Sequence, residues 1–179
     1  VSQYLRAFDS RVTVVGRAPR LLVREEPRVG ELVEHHLRGR GIELRLGRTA
    51  IGAARDGDGA TLRLDDGSTL GTDVVVLGTG RRPRTEGLGL DTVPGLTVTS
   101  EGAVAVDETC RAADGVWAIG DVTAISPFTH VAKHQARVAT DTILGRRRTA
   151  RYDAVPRVVF GIPEVAAVGR TREQAAADG

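Results

Sequence analysis

Several residue types are scarce in this 179-residue chain, and each scarcity excludes something. The single cysteine, Cys110, excludes an intrachain disulfide, a dithiol redox pair and a multi-cysteine zinc site within the chain. No apolar run reaches the roughly 18 residues of a membrane span, and the first residues lack the apolar core of a signal peptide. We therefore expect a cytoplasmic protein that does not bind a membrane.

Methionine is also absent, and the last residues stop inside a predicted helix. We therefore expect this chain to be a fragment of a longer protein or a processed form. Charge of neither sign dominates, because 25 Lys and Arg face 23 Asp and Glu, and the formal net charge is only +2. Such a balance gives no support to nucleic-acid binding through bulk charge.

The first third of the sequence alternates between helix and strand patterns. A β-branched strand over 11–15 is followed by a helix from Pro27, with apolar residues at helical spacing, and Gly41 closes that helix. A second strand occupies 42–46. This order is typical of an α/β fold, in which helices cover a parallel sheet.

The next segments combine short strands with turn residues. Residues 51–72 contain two Asp-Gly turns between short apolar runs, which predicts an antiparallel meander. The apolar run at 73–77 predicts a strand buried on both faces, as in a parallel sheet. A further strand is predicted at 116–119.

A helix is predicted from Thr129 to Leu144, begun by Ser-Pro and ended by Gly145. The basic stretch 145–153 has the composition of an exposed linker. Two short strands around the turn at 161–164 predict a separate antiparallel unit from about residue 155.

Ligands of open parallel sheets collect where strands end and helices begin. The predicted strand at 116–119 ends in Gly120 and Asp121, where glycine allows a sharp turn and the carboxylate can accept hydrogen bonds from sugar or ribityl hydroxyls. An ordinary exposed turn is the alternative. The residues Thr129, His130 and Val131 begin the next helix and would direct free N–H groups at the same crevice.

Two arginine-containing loops are further candidates. "TGRRP" at 79–83 includes Gly80 and Arg81 and is either a solvated loop or part of a site. At the end of the first strand stand Gly16, Arg17 and Arg20, with no acidic residue to repel a phosphate. Arginine there suits the 2'-phosphate of a dinucleotide, although it is also a common surface charge.

Other candidates for chemistry have simpler explanations. His130 and His134 lie four residues apart, a spacing that permits a metal pair, but no third ligand is apparent. Cys110 is interpreted as an inert loop or strand residue. We assign no catalytic residue and no metal ligand.

Four segments together resemble the FAD-dependent pyridine nucleotide-disulfide oxidoreductases, the family of dihydrolipoamide dehydrogenase, glutathione reductase and mercuric reductase. The segments carrying the resemblance are "RVTVVGRAPRLLVREEPRVGELVEHHLRGRGIEL", "DVVVLGTGRRPRT", "VWAIGDVTAISPFTHVAKHQARVA" and "VPRVVFGIPEVAAVG". They occur in the order and with the spacing of that family. Its FAD glycine motif, its redox-active cysteine pair and its C-terminal His-Glu pair are absent from this chain.

The resemblance implies parts of two Rossmann-like nucleotide-binding domains and the start of an α+β dimerisation domain. Residues 1–79 would be the C-terminal part of the NAD(P)H domain, 80–148 the returning segment of the FAD domain, and 149–179 a linker and the start of the dimerisation domain. The implied FAD-binding residues are Gly80, Arg81, Gly120, Asp121, Thr129, His130 and Val131. The NADPH-binding residues would be Gly16, Arg17, Arg20 and Gly80.

The function implied by the resemblance is hydride transfer from NADPH to FAD and onward to a disulfide or another small acceptor, in a protein that forms a homodimer at full length. Gly16 and Arg17 look more like the NADPH-using members, mercuric reductase in particular. Two alternatives stay open: a dinucleotide-binding module without turnover, and an inactive truncated piece.

Overall fold

The computed structural model describes residues 1–177 and divides into two compact units. One unit contains Val1–Leu77 together with the described residues from Pro156 onward, and the other contains Gly78–Val155. The helices are α1 (Ser2–Ala7), α2 (Pro27–Gly39), α3 (Thr129–Ile143) and α4 (Arg172–Ala177). The strands are β1 (Thr13–Gly16), β2 (Glu43–Leu46), β3 (Ala50–Asp56), β4 (Gly59–Leu64), β5 (Thr69–Thr72), β6 (Arg111–Ala113), β7 (Val116–Trp117), β8 (Pro156–Val159) and β9 (Val165–Val168).

The predicted strand-helix-strand unit is present at the start of the chain. β1 and β2 pair in parallel, with Val14 opposite Leu44, and α2 connects them. The helix packs its apolar side on this pair through Leu37, which joins Ile42 and Leu44 in one buried cluster. Because both strands run in the same direction, Gly16 and Leu46 end at one edge.

The antiparallel elements also follow the predicted pattern. β3, β4 and β5 form a three-stranded meander, and Leu64 of β4 is fully buried. β8 and β9 pair around the turn at 161–164 in a separate two-stranded sheet. These turns were visible in the sequence because Gly, Asp and Pro cluster there.

Gly30 marks a close approach between α2 and the loop before it. A Cβ added at Gly30 would lie 2.5 Å from the carbonyl oxygen of Leu21, whereas one added at Gly39 of the same helix would meet nothing within 4 Å. We expect Gly30→Ala to destabilise the protein by about 1–3 kcal/mol through overpacking. Gly39→Ala should be neutral or stabilising by up to about 1 kcal/mol, because alanine favours helix. Denaturant midpoints of both variants measure the difference, and equal midpoints would contradict it.

The prediction of a buried strand at 73–77 is wrong. These residues form no strand, and Val74, Val76 and Leu77 are 72%, 59% and 81% exposed. An apolar run can be buried on both faces only if strands flank it and helices cover it. Within the part of the chain that the structure describes, the parallel sheet has only β1 and β2, and neither pairs with this run.

The second unit differs from prediction at 116–119. Only Val116–Trp117 form a strand, and it pairs antiparallel with β6 across the turn at Asp114 and Gly115. Gly115 has φ +70°, so this Asp-Gly pair is a hairpin turn, which was not predicted from the sequence. The segment is therefore the second half of a small hairpin and not a strand of a parallel sheet.

The stretch 145–153 is an exposed linker only in its first half. Arg146, Arg147 and Arg148 are exposed, but Ala150 packs against the cluster of Cys110, Val138 and Ala139. The Ala150 amide also donates to the Glu108 carbonyl over 2.7 Å. The arginines at 146–148 favoured the prediction of a linker, although the apolar Ala150 and the aromatic Tyr152 follow them.

Candidate functional site

A short 3-10 helix over Gly120–Thr123 carries the candidate carboxylate of Asp121. It follows the extended residue Ile119 and starts with Gly120 at φ +79°. A Cβ at Gly120 would meet the Cβ of Ala132 in α3 at 3.4 Å. The glycine therefore satisfies two requirements, a left-handed backbone and a close approach to α3.

The Asp121 side chain is held at one of its two oxygens. Arg81 donates from one terminal nitrogen to Asp121 Oδ2 over 2.8 Å and from the other to the carbonyl oxygen of Pro127, also over 2.8 Å. Arg81 thus links residues Gly120–Thr123, which we call the Asp121 turn, to Pro127 just before α3. The carboxylate is 52% exposed, and an ionised carboxylate has several lone pairs, so it can accept further hydrogen bonds.

The first three residues of α3, which were predicted to bind FAD, differ in which of their groups are available to a ligand. The amides of Thr129 and His130 belong to the first turn, where a helix has no internal acceptors. The His130 ring stacks on Phe128 with centroids 5.3 Å apart. Val131 differs from expectation, because its amide donates to the Phe128 carbonyl over 3.0 Å and its side chain is buried.

Gln135 is a buried polar residue near this turn that was not predicted from the sequence. It is fully buried, and its Oε1 accepts the Gly120 amide over 2.6 Å. It follows Val131 by four residues and precedes Val138 by three, so it lies on the apolar face of α3. A polar residue on the apolar face of a helix indicates a buried hydrogen-bonding role, and this was the sequence signal for Gln135.

The predicted NADPH residues lie in the first unit, at the carboxyl edge of β1 and β2. Gly16 ends β1, and within the described residues the exposed Arg17 has no hydrogen-bond or ion-pair partner. Arg20 is already engaged, because its guanidinium donates to the carbonyls of Leu21, Leu22, Val23 and Glu25. The two arginines therefore differ: the Arg17 guanidinium is exposed, whereas that of Arg20 holds the loop 21–25 through hydrogen bonds.

Gly80, predicted for both nucleotides, lies in the second unit directly before Arg81. It is exposed and has φ +120°, a backbone conformation that favours glycine. The structure thus brings Gly80 and Arg81 to the Asp121 turn and the start of α3, while Gly16, Arg17 and Arg20 form a separate group in the other unit.

Cys110 lies in the buried core and does not have the environment of a reactive thiol. Cys110 is fully buried, and burial raises the pKa of its thiol above the ordinary value, which keeps it protonated. Across residues 1–177 no group of three or more His, Cys, Asp and Glu is arranged to hold a metal ion. In the same range no helix has the length and apolar character required to cross a membrane.

Comparison with known proteins gives a consistent family. The model of the family described as "Pyridine nucleotide-disulphide oxidoreductase" matches residues 1–136. The chain is 32% identical to a dihydrolipoyl dehydrogenase of Geobacillus stearothermophilus, with 96% of this chain and 37% of that protein covered. It is 38% identical to a mercuric reductase of Streptomyces lividans, with 97% and 37% covered.

Comparison with solved structures points to the same family. LpdA of Mycobacterium tuberculosis matches with a TM-score of 0.89 and 31% identity, covering 97% of this chain and 38% of that one. The HOCl-induced flavoprotein disulfide reductase RclA of Escherichia coli matches with a TM-score of 0.89 and 29% identity, covering 99% and 41%. The chain therefore spans somewhat more than a third of the length of these relatives.

Proposed function

Because the chain belongs to the pyridine nucleotide-disulphide oxidoreductase family, we propose that the full-length protein is an FAD-containing oxidoreductase. FAD, when bound, would supply the electron chemistry, taking hydride from NADPH and passing electrons to a disulfide or another acceptor. The protein would act as a homodimer. We assign residues 1–79 to its NAD(P)H domain, 80–148 to its FAD domain and 149–179 to a linker and the start of its dimerisation domain.

The observation that carries this proposal is the Asp121 turn. One oxygen of its half-exposed carboxylate accepts a hydrogen bond from Arg81, and the carboxylate can accept further hydrogen bonds donated by the hydroxyl groups of a ribityl chain. The free amides at the start of α3 add positive partial charge nearby, which suits an electron-rich ring. Gly80, Gly120, Thr129 and His130 complete the set, and Val131 contributes through its packing in the first turn of α3.

A visible absorption spectrum of the purified full-length protein tests the proposal. We expect a yellow protein with flavin bands, whose flavin is bleached by NADPH in the absence of oxygen. A colourless protein that added FAD does not reconstitute would overturn the proposed function. Thermal stabilisation by NADPH without its oxidation would favour a dinucleotide-binding module without turnover.

For this chain on its own, we propose that it does not turn over substrate. The exposure of Val74, Val76 and Leu77 supports this, because an apolar run of this kind needs a covering surface. A melting curve of the isolated chain should shift little when FAD is added.

The nucleotide preference for NADPH is a separate proposal that depends on Gly16 and Arg17. An exposed guanidinium without a protein partner can pair with a 2'-phosphate, and glycine places no carboxylate against it. We expect Arg17→Glu to lower the ratio of kcat/KM for NADPH over NADH by about 10- to 100-fold, since a hydrogen bond to a charged group contributes about 1.5–3 kcal/mol.

The control for this substitution is Arg147→Glu, which makes the same charge change at an exposed arginine of the other unit. It should leave the ratio unchanged. A wild-type protein that already prefers NADH, or equal ratios in both variants, would refute the assignment of Arg17.

A further inference from the structure

Gln135 uses both its amide oxygen and its amide nitrogen in hydrogen bonds. Besides accepting the Gly120 amide, it donates from Nε2 to the Tyr152 hydroxyl over 2.9 Å and to Thr123 Oγ1 over 3.4 Å. Thr123 Oγ1 in turn donates to the Gly120 carbonyl over 2.9 Å. Both backbone polar groups of Gly120 are therefore fixed by side chains, one residue before Asp121.

Tyr152 follows the arginines at 146–148 in the sequence and joins this network through its hydroxyl group. Its ring meets the His134 ring edge-on, with the ring centroids 6.4 Å apart. The next contacts along the segment are the Arg151 amide, 3.4 Å from His134 Nε2, and Ala150 in the buried cluster. Each of the three residues 150–152 therefore contacts a residue of α3.

We propose that Gln135 and Tyr152 are positioning residues, which hold the Asp121 turn at Gly120 so that the Asp121 carboxylate is presented to FAD. This inference rests on the proposed function. Neither residue needs to touch the ligand, because a left-handed glycine has little intrinsic preference for one conformation and must be held by its neighbours. The docked segment 150–152 would thereby influence the FAD site through one glutamine.

The test uses four single variants and one double variant of the full-length protein. Gln135→Leu removes the acceptor of the Gly120 amide, whereas Gln135→Glu keeps an oxygen for that amide and a second one for the Tyr152 hydroxyl. Tyr152→Phe removes only the hydroxyl. Tyr4→Phe is the matched control, because Tyr4 is the chain's other tyrosine and is 67% exposed in the other unit.

Three measurements are made on each variant: amide hydrogen exchange at Gly120 without FAD, the dissociation constant for FAD, and the absorption bands of the bound flavin. We expect Gln135→Leu to speed exchange and raise the Kd by about tenfold each, as loss of one hydrogen bond of about 1–1.5 kcal/mol implies. Gln135→Glu should restore both only in part and bring the flavin bands toward their wild-type shape, because it keeps the acceptor for the Gly120 amide but buries a carboxyl group in place of an amide. Tyr152→Phe should act in the same direction as Gln135→Leu but more weakly.

The double variant separates positioning from general core stability. If Tyr152 acts through Gln135, adding Tyr152→Phe to Gln135→Leu should change the FAD Kd no further. Additive effects, or lower melting temperatures with unchanged Gly120 exchange and unchanged Kd, would overturn the proposal. A wild-type protein that binds no FAD would overturn the proposed function, and Gly120 exchange would still decide whether Gln135 and Tyr152 hold the turn.

Discussion

Replacing Asp121 with alanine should weaken FAD binding by the full-length protein about 100-fold while leaving its stability nearly unchanged. A carboxylate that accepts hydrogen bonds from ligand hydroxyls contributes about 1.5–3 kcal/mol, and each 1.4 kcal/mol is tenfold in Kd. The ion pair with Arg81 contributes much less, because the two side chains are 67% and 52% exposed. Exposed pairs of this kind are worth about 0–1 kcal/mol.

Asp121→Ala should change the affinity for FAD and the free energy of unfolding by very different amounts. Flavin released on dilution gives the Kd, and a denaturant curve of the apoprotein gives the free energy of unfolding. Asp121→Asn is the graded variant, since it keeps the shape and one acceptor oxygen and should lose less affinity than alanine. If Asp121→Ala binds FAD within threefold of wild type but melts several degrees lower, the carboxylate has only a structural role.

Arg81→Leu probes the same site from the other side. Arg81 does not need to contact the ligand, because its two hydrogen bonds end on Asp121 and on the Pro127 carbonyl. Its removal should leave the Asp121 carboxylate free to rotate. We therefore expect a smaller loss of FAD affinity than for Asp121→Ala, and a loss of equal size would show that Arg81 itself binds FAD.

Local sequence patterns predicted those elements whose stability is local. The helix α2 and the strands on either side of it follow from apolar spacing and from Gly41, and they bury one another through Leu37 and Ile42. The meander follows from its Asp-Gly turns. In each case the residues that stabilise the element lie within a few positions of it.

Elements that depend on distant partners were not predicted. The apolar run at 73–77 has the composition of a buried strand, but composition does not say whether flanking strands exist. Tyr152 follows a run of arginines that is typical of a linker, and only the fold brings its hydroxyl to Gln135. For the candidate site, Gly120 and Asp121 could be named in advance, whereas the groups that hold them could not.

Arg157 and Glu25 form another such distant pair, and breaking it should have the largest effect on stability. The guanidinium donates from Nε and from a terminal nitrogen to the two carboxylate oxygens over 2.8 and 3.0 Å, and it also donates to the Gly169 carbonyl. The Glu25 side chain is only 11% exposed and that of Arg157 only 23%. The pair connects the loop before α2 with β8, within one compact unit.

Arg157→Leu should lower the free energy of unfolding by about 3 kcal/mol at pH 7, because it leaves a largely buried carboxylate without its partner. Arg28→Leu is the matched control, since it removes an arginine from an exposed i,i+3 pair with Glu31 and should change stability by less than about 0.5 kcal/mol. The double variant Glu25→Leu with Arg157→Leu should recover part of the loss, because no unpaired charge is left buried. Urea denaturation of the four proteins measures these differences.

The pair also predicts how stability depends on pH. The side-chain hydrogen bond with Arg157 holds the pKa of Glu25 below its usual value of 4.5. A carboxyl whose pKa is lowered by folding stabilises the protein above its unfolded pKa and loses that contribution as the pH falls through the folded pKa. Wild type should therefore lose stability relative to Arg157→Leu as the pH falls below 4.5. Two curves that stay parallel over this range would show that Glu25 gains nothing from Arg157.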